Sequence, residues 1–545
     1  MELQGHEDAF LARRAANHVA LSPLSFLQRA ALAHPDRVAT IYGEQRRTWA
    51  ETRDRCRRLA SALRRFGVGP GDTVAVMAAN TPELFEAHFG VPMAGGVLNA
   101  INIRLDAETI RYILEHGRAK VLLTDTEFAP VVKAALAGLD APPVVIDIRD
   151  DAAPGEALGE IDYEDLLASG DPGFPGSGPA DEWDSISLNY TSGTTGRPKG
   201  VLYHHRGAYL LALGNTLEWH MGEAPVYLWT LPMFHCNGWC FPWTLAKAGT
   251  SVCLRKVTAA AIYDALADEG VRYLCGAPIV LKMMLDAKPH ELRPFEGRCK
   301  VMTAAAPPPP SVLQGMAERG FDVTHVYGLT ETYGPAVACD WREGWNVLPA
   351  DQQAAKRARQ GLAYVVCEEV IVADPASCVP VPSDGETYGE ILFRGNVVMK
   401  GHHRDPAATE AAFAGGWFHS GDLAVRHPDG HIQIRDRLKD IIISGGENIS
   451  SIEVEDAIHH HPAVSAVAVI GVPDERWGEV PAAYVELGDG VDPPTPEEIV
   501  AFCRTRLAGF KVPKRVVFTT LPRTSTGKIQ KRLLRAAEAK GDMPC

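Results

Sequence analysis

The sequence predicts an α/β fold: a large N-terminal domain of layered α/β subdomains with a β-rich subdomain, then a small α+β C-terminal domain. Three observations predict it. Apolar strand-like runs alternate with helix-period segments through the first half of the chain. Short strands separated by Gly and Asp turns gather around GEILFRGNVVMKG and DGHIQIRDRLKDIIIS. Beyond residue 440 a compact helix, strand, strand, helix pattern follows. A chain of 545 residues, 46% hydrophobic and 22% charged, is also too long for a single core.

The elements follow in order. TWAETRDRCRRLASALRRFG has helical period and stops at Gly67, and DTVAVMAAN reads as a buried strand. TPELFEAHFGVPMAGGVLNAI is expected to be one continuous second helix. AKVLLTD, PPVVIDI and VRYLCGAP read as strands, and TAAAIYDALADEG as an amphipathic helix. In the C-terminal part, SSIEVEDAIHHHP and TPEEIVAFCRTRLAG are expected as helices, VSAVAVIGVP and VPAAYVELG as strands. No internal repeat is present, and the nearest to low complexity is PPPP at 307–310. The expected domains are 1–436 and 437–545.

A net charge of −14, from 54 basic and 68 acidic residues, opposes broad attraction to nucleic acid or anionic membrane. Eleven cysteines without a CxxC pair read as reduced thiols in a cytoplasm. No uninterrupted apolar run reaches the roughly 18 residues of a membrane span, so no membrane insertion is expected.

YTSGTTGRPKG, residues 190–200, follows directly on the strand-like DSISLNY. Its glycines let backbone N–H groups turn toward an anion, its hydroxyls add donors and Lys199 adds charge, which suits a nucleotide phosphate. It is not a Walker A loop: Gly193 is followed five positions on by Pro198, and Lys199 by Gly200. The histidines at 204–205, 402–403 and 459–461 lack metal-ligand spacing and read as loop or helix-end residues.

The stretch resembles the signature of the adenylate-forming (AMP-binding) superfamily. Six further segments resemble its motifs in order: LPMFHCNGW (231–239), TAAAPPPP (303–310), VYGLTET (326–332), GWFHSGD (416–422), DRLKDIIISGGENIS (436–450) and PRTSTGKIQK (522–531). The resemblance covers almost the whole chain and is strongest to the acyl-CoA synthetase branch, which acts on fatty or aryl acids.

The resemblance implies an ATP-dependent acid:CoA ligase using ATP, Mg2+ and coenzyme A. A carboxylate attacks the α-phosphorus of ATP, giving acyl-AMP and pyrophosphate; the CoA thiol then displaces AMP. Bringing two anions together makes charge neutralisation and positioning the central demands. On this resemblance Thr191 and Glu331 hold the metal, and Thr191, Ser192, Gly193, Thr194, Thr195, Gly196 and Lys199 hold the phosphates that leave as pyrophosphate. Ala305, Ala306 and Tyr327 form the adenine wall, Gly328 and Thr330 also bind the nucleotide, Asp422 accepts the ribose hydroxyls, and Arg437 stands beside ribose and phosphate. Lys528 is the mobile catalytic lysine, Lys439 the hinge, and Gly445 and Gly446 line the pantetheine channel in a rotated state. Ile443 replaces a lysine that several relatives carry. His235 separates acyl pocket from thiol tunnel, with Trp239, Ala304 and Gly328 as further pocket walls.

The implied acid is short- to medium-chain, methylthioalkanoic or aryl. Gly328 stands where acetate-specific relatives carry tryptophan, which favours an acid larger than acetate. Alternatives are an acyl-AMP ligase serving a carrier protein and a long-chain fatty acyl-CoA synthetase. A peptide-synthetase adenylation domain lacks support, because neither the aspartate near PMFHCN nor a carrier domain is present. The expected partners are a small carboxylic acid, ATP and CoA, with a homodimer left open.

Overall fold

The computed structural model describes residues 11–176, 178–191, 197–235, 239–304, 310–445, 447–488, 490–523 and 529–540. Two large sheets share one continuous apolar core. In the nine-stranded sheet the spatial order is Leu362–Ala363, Gly334–Ala338, Phe321–Leu329, Cys299–Thr303, Tyr273–Cys275, Val226–Trp229, Thr250–Cys253, Val38–Tyr42 and Gln45–Thr48. Its centre is parallel and both margins are antiparallel. The eight-stranded sheet runs Gly401–His402, Lys199–His204, Ser185–Thr191, Val97–Ala100, Thr73–Met77, Ala119–Asp125, Val144–Ile148 and Ile161–Asp162. Helices cover the parallel parts, as βαβ crossovers require.

Local sequence explains the elements. The helix Trp49–Arg65 starts at a reciprocal capping box between Thr48 and Glu51, and Gly67 follows it at φ +74°. The helix Pro82–Met93 has proline in its first turn and is buried on every side. The expected continuous helix is corrected here. The chain leaves the helix at Met93, turns through Gly95 at φ +86°, and Val97–Ala100 forms a strand beside Thr73–Met77. Both pieces are wholly buried, so neither has the polar face from which periodicity is read.

Ser185–Thr191 and Lys199–His204 form an antiparallel hairpin in which Tyr190 faces Gly200 and Thr191 faces Lys199. The described ends of the signature stretch are therefore paired arms of a hairpin built onto a parallel sheet. The β-rich part is a four-stranded antiparallel sheet of Glu369–Ala373, Gly389–Arg394, Phe418–Arg426 and Ile432–Arg437. Its last strand pairs through Arg437, one residue past the expected boundary. The C-terminal sheet places Glu447–Ile449, Ile442–Ser444, Gly478–Leu487 and Val464–Asp474 side by side, with Arg515–Phe518 parallel to Gly478–Leu487. It has its own apolar core around Val454, Ile458, Val469 and Val485.

His204 and His205 are helix-end residues as expected, whereas His402 is neither helix-end nor loop. His402 lies in a short strand opposite Val201, and His204 ends the hairpin and caps the helix His205–Glu218 through its ring nitrogen.

Candidate active site

Asp422 and Arg437 sit directly opposite on neighbouring antiparallel strands. Arg437 Nε lies 3.2 Å from Asp422 Oδ1, and the Tyr327 hydroxyl donates to Asp422 Oδ2 at 2.8 Å. Asp422 is buried, so its carboxylate exists in this place because a cation and a donor meet it. Burial, followed by the Asp422 charge, drives the Tyr327 phenol well above its ordinary pKa, so it stays a donor.

Tyr327 lies in the strand Phe321–Leu329, and the chain then makes a tight turn over Thr330–Thr332 that carries Glu331. The turn is held by Thr332, whose Oγ1 takes a bond from Leu329 N at 2.9 Å and gives one to Gly334 O at 2.9 Å. Met399 N donates to the Glu331 carbonyl at 2.8 Å. Burial raises the Glu331 pKa; Arg437 and Lys199 pull it down and Asp422 pushes it up. The charges of the two expected cations and of the expected ribose acceptor thus reach the expected metal carboxylate, although the four groups come from four separate elements.

Gly328 has a backbone reason. A Cβ there would stand 1.7 Å from Gly334 O, at the irregular pairing between its strand and Gly334–Ala338. Gly334, at φ +128°, in turn abuts Trp239, whose Cβ would be 2.9 Å from an added methyl. Trp239 is buried and, with Cys240, takes a left-handed backbone at φ +57° and +63°. Asn215 Nδ2 donates to the Trp239 carbonyl at 3.0 Å and steadies that conformation. Ahead of it, Asn80 clamps the loop before His235: its Nδ2 donates to Trp229 O at 3.0 Å and its Oδ1 accepts from Met233 N at 2.8 Å. His235 N donates to Pro232 O at 3.0 Å. Ala304, just past the strand Cys299–Thr303, packs half-buried against the main core.

On the C-terminal side, burial and then the charge of Arg437 lower the Lys439 pKa. Gly445 is left-handed at φ +60°, and a Cβ there would lie 2.7 Å from Trp477 Cε3. Ser192, Gly193, Thr194, Thr195, Gly196, Ala305, Ala306, Gly446 and Lys528 lie outside the described residues.

The donor set fits a magnesium nucleotide. One carboxylate, Glu331, and the Thr191 hydroxyl are hard oxygen donors, enough for a cation that keeps waters and takes its other ligands from phosphate. Lys199 and Arg437 are the cations expected around a polyphosphate.

The description "AMP-binding enzyme" matches residues 27–403, and "AMP-binding enzyme C-terminal domain" matches 453–528. The chain belongs to the AMP-binding enzyme family. Within the family it is 52% identical to the peroxisomal acetate/butyrate–CoA ligase of Arabidopsis thaliana, covering 97% of this chain and 96% of that protein. It is 45% identical to the peroxisomal benzoate–CoA ligase of the same plant, over 96% and 94% of the two chains. The o-succinylbenzoate–CoA synthetase of Bacillus subtilis, solved with ATP and magnesium, superposes with a TM-score of 0.79 at 27% identity, over 94% and 99% of the chains.

Three contributors escaped the sequence reading: Tyr333, Asn80 and Asn215. Tyr333 is left-handed at φ +66°, stacks on Tyr203 at 3.8 Å, and accepts from His204 N at 2.6 Å, which ties the Glu331 turn to the hairpin. The only signal was its place after VYGLTET, which marked the motif but not the contact.

Proposed function

We propose that this member of the family is an ATP-dependent acid:CoA ligase, AMP-forming, acting on a short-chain or aryl carboxylic acid. The observation that carries the reading is the convergence of Asp422, Arg437, Tyr327, Glu331 and Lys199 from five elements. Asp422 accepts the ribose hydroxyls, a role its buried, oriented oxygens suit. Arg437 spans ribose and α-phosphate, and Lys199 with the hairpin tip holds the departing pyrophosphate. Glu331 and Thr191 would hold Mg2+, which would supply charge neutralisation for the phosphates.

In the first half-reaction an acid oxygen bonds to the α-phosphorus as the bond to the β-phosphate oxygen breaks. Lys528 is proposed to steady the charge there. In the second, the CoA sulfur bonds to the acyl carbon and AMP leaves with the electron pair of the broken C–O bond. Lys439 serves as the hinge between the two states, with domains meeting at 437, and Gly445 and Gly446 as the pantetheine channel. His235, Trp239 and Ala304 wall the acid pocket.

The names of the relatives, covering acetate, butyrate and benzoate, support short-chain and aryl acids. Because Gly328 is required by the Gly334 carbonyl, it no longer argues for an acid larger than acetate. Nine described cysteines are free thiols, which supports a reducing compartment. The cytoplasm is one; the word peroxisomal in two relatives' names supports another. No helix among the described residues is long and apolar enough to cross a membrane.

Pyrophosphate release across acetate, butyrate, branched and aryl acids, with and without CoA, tests the proposal. Acid-dependent release with AMP and acyl-CoA as products is expected. Acid-dependent release without any acyl-CoA would shift the acceptor to a carrier protein, and no release with any acid would overturn the reading.

A further inference from the structure

The helix Ala107–His116 meets the phosphate hairpin at its base, through contacts that none of the roles above uses. Tyr190 is the last residue before Thr191, and its hydroxyl lies 2.8 Å from His116 Nδ1. Its ring meets His116 and Tyr112 edge-on, at centroid distances of 5.8 and 6.4 Å. On the opposite strand Gly200 faces Tyr190, and its carbonyl accepts from His403 N at 2.7 Å. The His403 ring then meets His116 at 5.3 Å. A Cβ on Gly200 would stand 2.9 Å from Leu188 and 3.1 Å from His403, so the strands are drawn close at this level.

The loop itself touches the same helix. Arg197, which re-enters the hairpin, has its guanidinium carbon 5.5 Å from the Tyr112 ring centroid. Tyr112 lies stacked on His116, centroids 5.2 Å apart and planes 21° apart. Arg404 donates to the His116 carbonyl at 3.3 Å. The helix is firmly held: Asp106 caps it by accepting from Thr109 N at 2.8 Å, and Ile110, Ile113 and Leu114 are buried in a core with Leu122 and Val132.

An anion site needs its N–H groups held before the anion arrives. We infer that Tyr112 and His116 are positioning residues for ATP: a platform that sets the geometry of the phosphate hairpin, with the Tyr190 hydroxyl as its latch and Arg197 as its second anchor. The inference rests on the hairpin tip being the phosphate loop. The two strands are pinned at the Tyr190–Gly200 pair, next to the last described pair, Thr191–Lys199, and the returning arm is parked on an aromatic face. The first half-reaction, which needs the pyrophosphate leaving group in line, is the step this geometry serves; acyl transfer to CoA is not.

Steady-state pyrophosphate release by the full-length protein, with melting temperature and transfer from supplied acyl-adenylate to CoA as parallel readouts, tests this. Tyr190→Phe and Tyr112→Leu are each expected to raise KM for ATP about tenfold, the size of one lost hydrogen bond or ring contact. The rate at saturating ATP, the melting temperature and the transfer step are expected to change little. His116→Ala should behave likewise, and His116→Asn and Tyr112→Phe should restore KM by returning the polar group and the ring face. Lys199→Ala tests the loop reading separately. If it raises KM for ATP and the platform variants do not, the platform is overturned and the phosphate loop stands. If none of them changes KM, both fall. A platform variant that lowers melting temperature and acyl transfer together with adenylation would show mere structural support and overturn the positioning role.

Discussion

Asp422 and Arg437 face each other across an antiparallel ladder with 3.2 Å between their charged atoms, and the second carboxylate oxygen of Asp422 takes the Tyr327 hydroxyl at 2.8 Å. A buried carboxylate held this way is oriented before any ligand arrives. Asp422→Asn keeps the shape and removes the charge, so KM for ATP is expected to rise by about ten- to a hundredfold, the range for a hydrogen bond to a charged group. Tyr327→Phe should cost less, about fivefold, and Asp422→Asn with unchanged KM would remove the ribose role.

Gly328 offers a test of backbone against pocket. With a Cβ 1.7 Å from Gly334 O, Gly328→Ala forces the two strands apart. A loss of about 1–3 kcal/mol in stability is expected, together with weaker adenylation of every acid alike. Chemical denaturation and an acid panel check it: a stable variant that merely shifts acid preference would return Gly328 to the pocket floor.

Trp239 has the opposite profile. Its backbone is left-handed at φ +57°, a conformation glycine takes without strain. Trp239→Gly removes the bulky wall; the relieved backbone strain offsets only part of the roughly 3–5 kcal/mol cost of emptying a buried Trp site, and kcat/KM for aryl relative to short-chain acids should rise by about tenfold or more. An unchanged ratio would place the wall elsewhere.

Lys531 ties the last helix to the rest of the C-terminal part. Its Nζ lies 2.6 Å from Ser451 Oγ and 2.7 Å from Glu455 Oε1, and Ser451 Oγ donates to Asp436 Oδ1 at 3.0 Å. Burial raises the pKa of both Glu455 and Asp436, so removing the ammonium leaves two carboxylates short of a countercharge. Lys531→Met is expected to destabilise this region by about 1–3 kcal/mol, less than a fully buried pair because both ends keep some solvent. Amide exchange in Ser451–His459 and Lys531–Lys540 should quicken, and unchanged protection there would discount the network.

Three buried histidines set an acid limit. Burial holds His204 at about 3 and His205 and His325 at about 4, each down from 6.5. In the unfolded chain each binds a proton once pH falls below 6.5, while the folded form stays neutral. The unfolded state then holds more protons, so stability falls with pH from about 6.5 and levels off only below the folded values, at about 1.4 kcal/mol per residue per pH unit. Urea midpoints should drop between about pH 7 and 5, and His205→Asn should flatten that slope by about one proton. A His205→Asn variant with the full wild-type slope would show that His205 contributes nothing to it.

Much of the fold was legible in the chain because many elements carry their own boundaries. Thr48 and Glu51 begin a helix that Gly67 ends, and AKVLLTD is bounded by its polarity. The Met93–Val97 junction was not legible, since a buried helix and a buried strand look alike when no face is polar. The site divides in the same way. The kinds of side chain that neutralise a polyphosphate stood in recognisable motifs, so Glu331, Asp422, Arg437 and Lys199 could be named from order and chemistry. His116 and His403 could not, because neither is informative until the sheet brings both to Tyr190.

By itself, then, the sequence determined the succession of elements, the family and the chemistry available. Tertiary structure alone decided that Asp422 meets Arg437 and Tyr327, that Gly328 yields to the Gly334 carbonyl, and that the helix Ala107–His116 meets the glycine-rich hairpin at Tyr190. These are distances between residues remote in sequence, created by strand register and core packing, and local composition does not encode them.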